Sequence, residues 1–294
     1  MTINVLARPI PDSVSSFVPN IPLFTGAKTP VDSNTINQNK LHDSLEEAIR
    51  ASGLQNGMTI SFHHAFRDGD KTVNMVMDKL AEMGFKDLTL AASSLTNCHS
   101  PLIDHIKNGV VRKIYTSGLR GKLADAISNG LLAEPVHIHS HGGRVHLIQS
   151  GELNIDVAFL GVPCSDEFGN ANGFSGKSRC GSLGYARVDA EYARHVILLT
   201  EELVGYPNYP ASIAQDCVDG IVQVEHVGDP AKIGGDATRM TSNPRELLIA
   251  RQHEEQGGEQ AQSEGSGGKA YFHGSIKARS EWMGTGCRRR DARE

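Results

Sequence analysis

No stretch of the 294-residue chain approaches the ~20 consecutive apolar residues that a bilayer-spanning helix needs. Nor does the opening Met1 to Ile10 show the basic, then apolar, then small-residue succession of a secretory leader, so a cytoplasmic protein is expected. Charge of one sign is also lacking. With 29 Lys and Arg against 34 Asp and Glu, the net charge of −5 offers no overall attraction to nucleic acid or to an anionic membrane. The five cysteines, Cys98, Cys164, Cys180, Cys217 and Cys287, are odd in number, far apart and without a C-x-x-C pair. That pattern suggests neither a disulfide framework nor a zinc ribbon, and reduced thiols are expected. Over residues 1–251 neither G-x-x-x-x-G-K-[ST] nor G-x-G-x-x-G occurs, and Gly173 to Ser178 has the ending of a phosphate loop without its spacing. A G-x-S-x-G elbow is missing too, which disfavours acyl transfer through a serine.

What is present is enough apolar chain, 39% of residues, for one large α/β domain or two ordinary ones. Residues 1–40 carry five of the twelve prolines (Pro9, Pro11, Pro19, Pro22, Pro30) and no helical period, the character of an extended arm. From 41 to 251 short apolar runs alternate with amphipathic stretches, which predicts βα units and a largely parallel open sheet with flanking helices. Strands are expected at 58–62, 88–92, 110–115, 136–139, 155–160, 196–199 and 220–224. Helices are expected on the Leu41, Leu45, Ala48, Ile49 face, over 72–83 and over 122–129, stopped by Gly53, Gly84 and Gly130. Beyond Arg251 there are eight glycines and a single Ile, Leu or Val residue, Ile276. Such a segment buries too little apolar area to offset ~1–2 kcal/mol per residue of ordering entropy, so disorder is expected over 252–294.

In a parallel sheet the chemistry collects where strands end, so the loops after them are the places to look. Ser61-Phe-His-His-Ala-Phe-Arg-Asp-Gly-Asp70 leaves a strand and opens a helix. There His63, His64 and Arg67 would suit a carboxylate or oxyanion; equally, Asp68 or Asp70 caps the helix and His63 is packed. Tyr115-Thr-Ser-Gly-Leu-Arg-Gly121 places Ser117 and Arg120 for an anion, or is a turn with a solvated arginine. In Val136-His-Ile-His-Ser-His-Gly-Gly-Arg-Val-His146, a strand would put His137, His139 and His141 on one face. No fourth ligand lies near them, and no metal is expected. Asp166-Glu-Phe-Gly-Asn-Ala-Asn-Gly173, with Asp166 and Asn170, is a polar turn or one wall of a cleft.

These loops, together with Leu45 to Leu54, Ser150 to Pro163 and Arg239 to Arg251, resemble the citrate lyase α chains, a branch of the coenzyme A transferases. The resemblance implies exchange of acetyl for citryl on an acyl carrier, releasing acetate, in citrate breakdown to oxaloacetate and acetate. It implies partners as well: a β subunit that cleaves the citryl thioester and a γ subunit that is the carrier. The reactive thiol belongs to the carrier's coenzyme-A-like prosthetic arm, so no directly bound cofactor is expected. Citrate is a trianion near neutral pH, and His63, His64, Arg67, Ser117, Arg120, His139 and Arg144 are the expected substrate or oxyanion ligands. This branch exchanges the acyl group directly, so no covalent nucleophile is nominated. Two other readings fit the same resemblance: a non-catalytic assembly module of the complex, and a transferase of free coenzyme A thioesters. Family members are longer, with a second α/β half that completes the cleft. The match stops near Arg251, which implies a truncated chain with an out-of-frame tail.

Overall fold

The computed structural model describes residues 39–233. Outside the described residues lie the expected arm apart from Asn39 and Lys40, the end of the expected body from 234 on, and the expected tail over 252–294. Among the described residues nine strands run in chain order: β1 (Leu41–His42), β2 (Thr59–Phe62), β3 (Leu88–Ala92), β4 (Val111–Thr116), β5 (His137–Ile138), β6 (Val157–Ser165), β7 (Ala171–Asn172), β8 (His195–Leu203) and β9 (Gly220–Gln223). Between them lie α1 (Leu45–Ala51), α2 (Thr72–Glu82), α3 (Leu102–Lys107), α4 (Gly121–Ser128), α5 (His141–Ser150) and α6 (Ala186–Tyr192). The alternation of βα units is as the apolar pattern predicts.

One sheet holds all nine strands in the order β1-β9-β8-β6-β2-β3-β4-β5, with β7 paired to β6 off this path. Every pair along the path is parallel, and only β7 is antiparallel. From β2 the chain steps outward through β3, β4 and β5. It then returns to the other side of β2 and steps outward again through β6, β8 and β9. The order therefore reverses between β2 and β6, and at such a reversal the flanking loops part and leave a crevice at the carboxyl ends of the strands.

Both faces of the sheet are covered, as a parallel sheet requires. On one face α1 to α4 pack through Ile49, Val76, Leu80, Leu102 and Leu123 against Ile60, Phe62, Leu90, Val157 and Phe159. On the other, Ile148 of α5 and Ala186, Val188 and Ala190 of α6 meet Ala91, Ala158, Leu160 and Leu198. The alternation of Val157 and Phe159 with Ala158 and Leu160 is the two-residue period of a strand buried on both sides. In α2 the buried positions Val73, Val76, Met77 and Leu80 recur at helical spacing, each side chain contributing roughly 1.5–3 kcal/mol by burial.

Three expectations change. Leu41 is not on the α1 face but in β1, paired with Ile221 of β9, because Ser44 caps the helix by accepting the Glu47 N–H at 3.1 Å. The strand expected over 136–139 is only His137–Ile138, and His141 opens a helix, so the three histidines do not alternate on one strand face. Beyond the expected elements the structure adds β1, α3, α5, α6 and β7.

Candidate functional site at the carboxyl edge

The loops that leave β2, β3, β4 and β5 are stitched to one another by hydrogen bonds. After β2, the His64 N–H donates to Ser93 Oγ at 2.7 Å. Just beyond β3, the Ser93 carbonyl accepts the Ser117 N–H at 3.2 Å, in the loop after β4. Ser117 Oγ lies 3.2 Å from Nδ1 of His139, just beyond β5. A further rung joins the Leu95 N–H to the Gly118 carbonyl at 2.8 Å and the Arg120 N–H to the Leu95 carbonyl at 3.0 Å. His64, Ser117 and His139 thus belong to one laced edge beside the strand-order reversal. Ser93 is the link that sequence reasoning missed; its signal was a serine at the exit of the strand Leu88–Ala92.

His63 is buried, and among the described residues neither ring nitrogen has a hydrogen-bond partner. Burial pushes it down to about 4 against the opposing pull of Asp70, and the charges of Arg144 and His64 act in the same direction as burial. The half-buried His64 is also lowered, chiefly by burial and next by the His99 ring. His139 is lowered by burial first, against the Ser140 backbone, with Arg144 adding to the effect. All three rings therefore favour the neutral form, which can donate a hydrogen bond without carrying charge.

The start of α2 is closed to an anion by its own carboxylate. Asp70 Oδ1 accepts the Thr72 N–H at 3.3 Å and Oδ2 the Val73 N–H at 3.2 Å. Oδ2 also faces Nε2 of His99 at 3.0 Å, while His99 Nδ1 accepts the Thr96 N–H at 2.9 Å. Of the two readings of this loop, the capped turn with a packed His63 describes the helix start. Arg67 is exposed, its backbone in the left-handed region at φ 51°. Arg120 is exposed as well, at the N-cap of α4.

Arg144 is wholly buried. Its Nη2 donates to Asp189 Oδ1 at 2.7 Å, Ser61 Oγ at 2.9 Å and the Ala91 carbonyl at 3.4 Å. Asp166 is likewise spent internally. Its Oδ1 accepts the N–H groups of Phe168, Gly169 and Asn170 at 2.9–3.0 Å, and its Oδ2 accepts Asn170 Nδ2 at 2.8 Å and the Asn208 N–H at 2.9 Å. Asn170 reaches on to Gln215 Oε1 at 3.0 Å. These two residues shape the loop after β6, and their side chains are committed to it. Among the described residues no group of three or more His, Cys, Asp or Glu side chains converges as a metal site. No helix among them is long and apolar enough to cross a membrane.

Comparison with known proteins places this geometry in context. Residues 38–261 match the family model for the citrate lyase α subunit. The citrate lyase α chain of Klebsiella pneumoniae is 79% identical over 215 residues, 73% of this chain and 42% of that protein. The Haemophilus influenzae citrate lyase α chain is 75% identical over 219 residues, 74% of this chain and 44% of the relative. The chain thus spans less than half the length of the curated relatives it matches. Among solved structures, the citrate lyase α subunit of Streptococcus mutans in complex with citrate superposes with a TM-score of 0.68. It is 57% identical, over 73% of this chain and 42% of that one. The α subunit of a malonate decarboxylase from Acinetobacter baumannii shares the fold at a TM-score of 0.50 and 19% identity, over 66% of this chain and 36% of that one.

Proposed function

The chain belongs to the citrate lyase α-subunit family, and from that premise we propose that it serves a citrate:acetyl-carrier transferase: acetyl thioester plus citrate gives citryl thioester plus acetate. The observation that carries the reading is the laced edge of His64, Ser93, Ser117 and His139, which lies within residues 38–261, the span that matches the citrate lyase α-subunit family model. The same reading makes the acceptor thiol the coenzyme-A-like arm of an acyl carrier subunit. A lyase subunit follows in the sequence of reactions, and the setting is the cytoplasm.

The step needs a citrate carboxylate held against the thioester carbonyl, with donors where negative charge develops. The carboxylate oxygen bonds to the acetyl carbon as the carrier's sulfur leaves; that thiolate then takes the citryl carbonyl, and acetate departs. Arg67 and Arg120, exposed at the rim, supply positive charge for a trianion. Neutral His64 and His139 and the Ser117 hydroxyl offer hydrogen bonds at the edge, with His63 behind them. No side chain of the edge has to form a covalent intermediate.

Labelled acetate should enter the acetyl–carrier thioester only in the presence of citrate, since the label returns through the citryl form. Incorporation without citrate, or none with it, counts against the transferase. Equal use of free coenzyme A thioesters would move the acceptor from the carrier to coenzyme A itself.

A further inference from the structure

Among the described residues Arg144 is the bulkiest wholly buried side chain, and it is a cation. A guanidinium is kept out of water only where a partner compensates it, and here the partner is Asp189 of α6, itself inaccessible to solvent. Of the ten residues of α5 only Arg144 and Ile148 are fully buried, with Val145 and Leu147 partly buried against the same face. Through one nitrogen the guanidinium reaches α6, β2 and β3 at once, by Asp189, Ser61 and Ala91. One helical turn earlier, the Arg144 N–H donates to the Ser140 carbonyl at 2.9 Å, and Ser140 Oγ caps α5 by accepting the Gly143 N–H at 3.0 Å. The residue before that cap is His139.

We propose that Asp189 is a positioning residue for the carboxyl-edge site: by pairing with Arg144 it fixes the first turn of α5, and with it the placement of His139 against Ser117. Its catalytic meaning rests on the functional reading above, whereas its geometry does not. Among the described residues Arg144 Nε and Nη1 and Asp189 Oδ2 have no hydrogen-bond partner. The cation also bears on both neighbouring rings. His63 feels it alongside Asp70 and His64, and His139 alongside the Ser140 backbone and His141.

An apolar replacement of the pair separates positioning from stability, because well-packed hydrophobic residues commonly replace a buried ion pair without loss of stability. The full chain carrying Arg144→Met with Asp189→Leu should melt close to the unsubstituted protein. It should bind citrate at least tenfold more weakly by calorimetry, and its His139 ring resonances should shift, with a titration midpoint moved upward. Citrate affinity and His139 resonances both equal to those of the parent would overturn the proposal. If neither protein binds citrate, the functional reading fails, and the His139 resonances alone decide the positioning role. Should the double variant not fold, Asp189→Asn keeps the hydrogen-bond acceptor and removes the charge. A His139 titration unmoved in that variant would also overturn the proposal, and a displaced one restored by Asp189→Glu would support it.

Discussion

Replacing His63 by leucine should flatten the acid limb of the protein's stability curve. In the unfolded chain this histidine takes up a proton as the pH falls through about 6.5, the ordinary value. In the folded protein burial withholds that proton until about 4, against the pull of Asp70. The contribution of the neutral ring to stability is therefore fully present above pH ~6.5 and is lost progressively as the pH falls toward ~4. Below that it stays constant. A difference of roughly 2.5 pH units at 1.36 kcal/mol each gives about 3 kcal/mol of pH-dependent stability from this one side chain. Leucine has a similar volume and no nitrogen to leave unpaired, so at neutral pH the variant should be as stable as the parent or better by up to ~2 kcal/mol. Urea unfolding of both proteins at a series of pH values between ~7.5 and ~4 provides the test, since the other histidines cancel in the difference. A parent-minus-variant difference independent of pH would refute the reasoning and show that the His63 ring is charged or hydrated in the folded state.

Gly121 sits at φ 68°, where a Cβ would lie 1.6 Å from Asn97 Oδ1, so Gly121→Ala should cost about 1–3 kcal/mol in thermal unfolding. Adding Asn97→Ala should recover the steric part and leave the backbone part. Asp166→Ala strips the loop after β6 of the carboxylate that gathers its N–H groups, and about 3 kcal/mol or more of stability should disappear in urea titrations. An unchanged midpoint would show that the loop holds without it. Arg120 is exposed, so Arg120→Ala should weaken citrate binding by no more than ~1 kcal/mol in this chain and less at high salt. A loss of several kcal/mol, insensitive to salt, would place Arg120 in a desolvated pair with the substrate.

The α/β alternation was legible because strands buried on both faces read as short continuous apolar runs; Leu88–Ala92 lies where the run predicts it. Strand β6 runs on to Ser165, five residues past the expected end, because Gly161 and Pro163 look like turn residues although the strand continues through them. Helix α5 was invisible for a different reason. Periodicity reads apolar stripes, and α5 meets the sheet through a buried cation and a short apolar patch of Val145, Leu147 and Ile148, after a Gly142-Gly143 pair that reads as a break. At the site, His64, Ser117 and His139 were legible as polar residues at strand exits. Arg144 was named from its motif as a ligand, yet its burial and its pairing with Asp189, 45 positions away, are long-range facts that no local pattern carries. Asp189 itself lies in no motif.

The central claim is that this chain's carboxyl edge serves an exchange of acetate for citrate on a carrier thioester. Intact-mass measurement of acetyl-loaded acyl carrier, incubated with the protein and citrate, tests it most directly. The account predicts that the acetyl-carrier peak gives way to a citryl-carrier peak as acetate appears in solution, with no acyl group left on the protein. An acetyl-carrier peak that persists unchanged at saturating citrate would contradict it and favour a non-catalytic role for this chain.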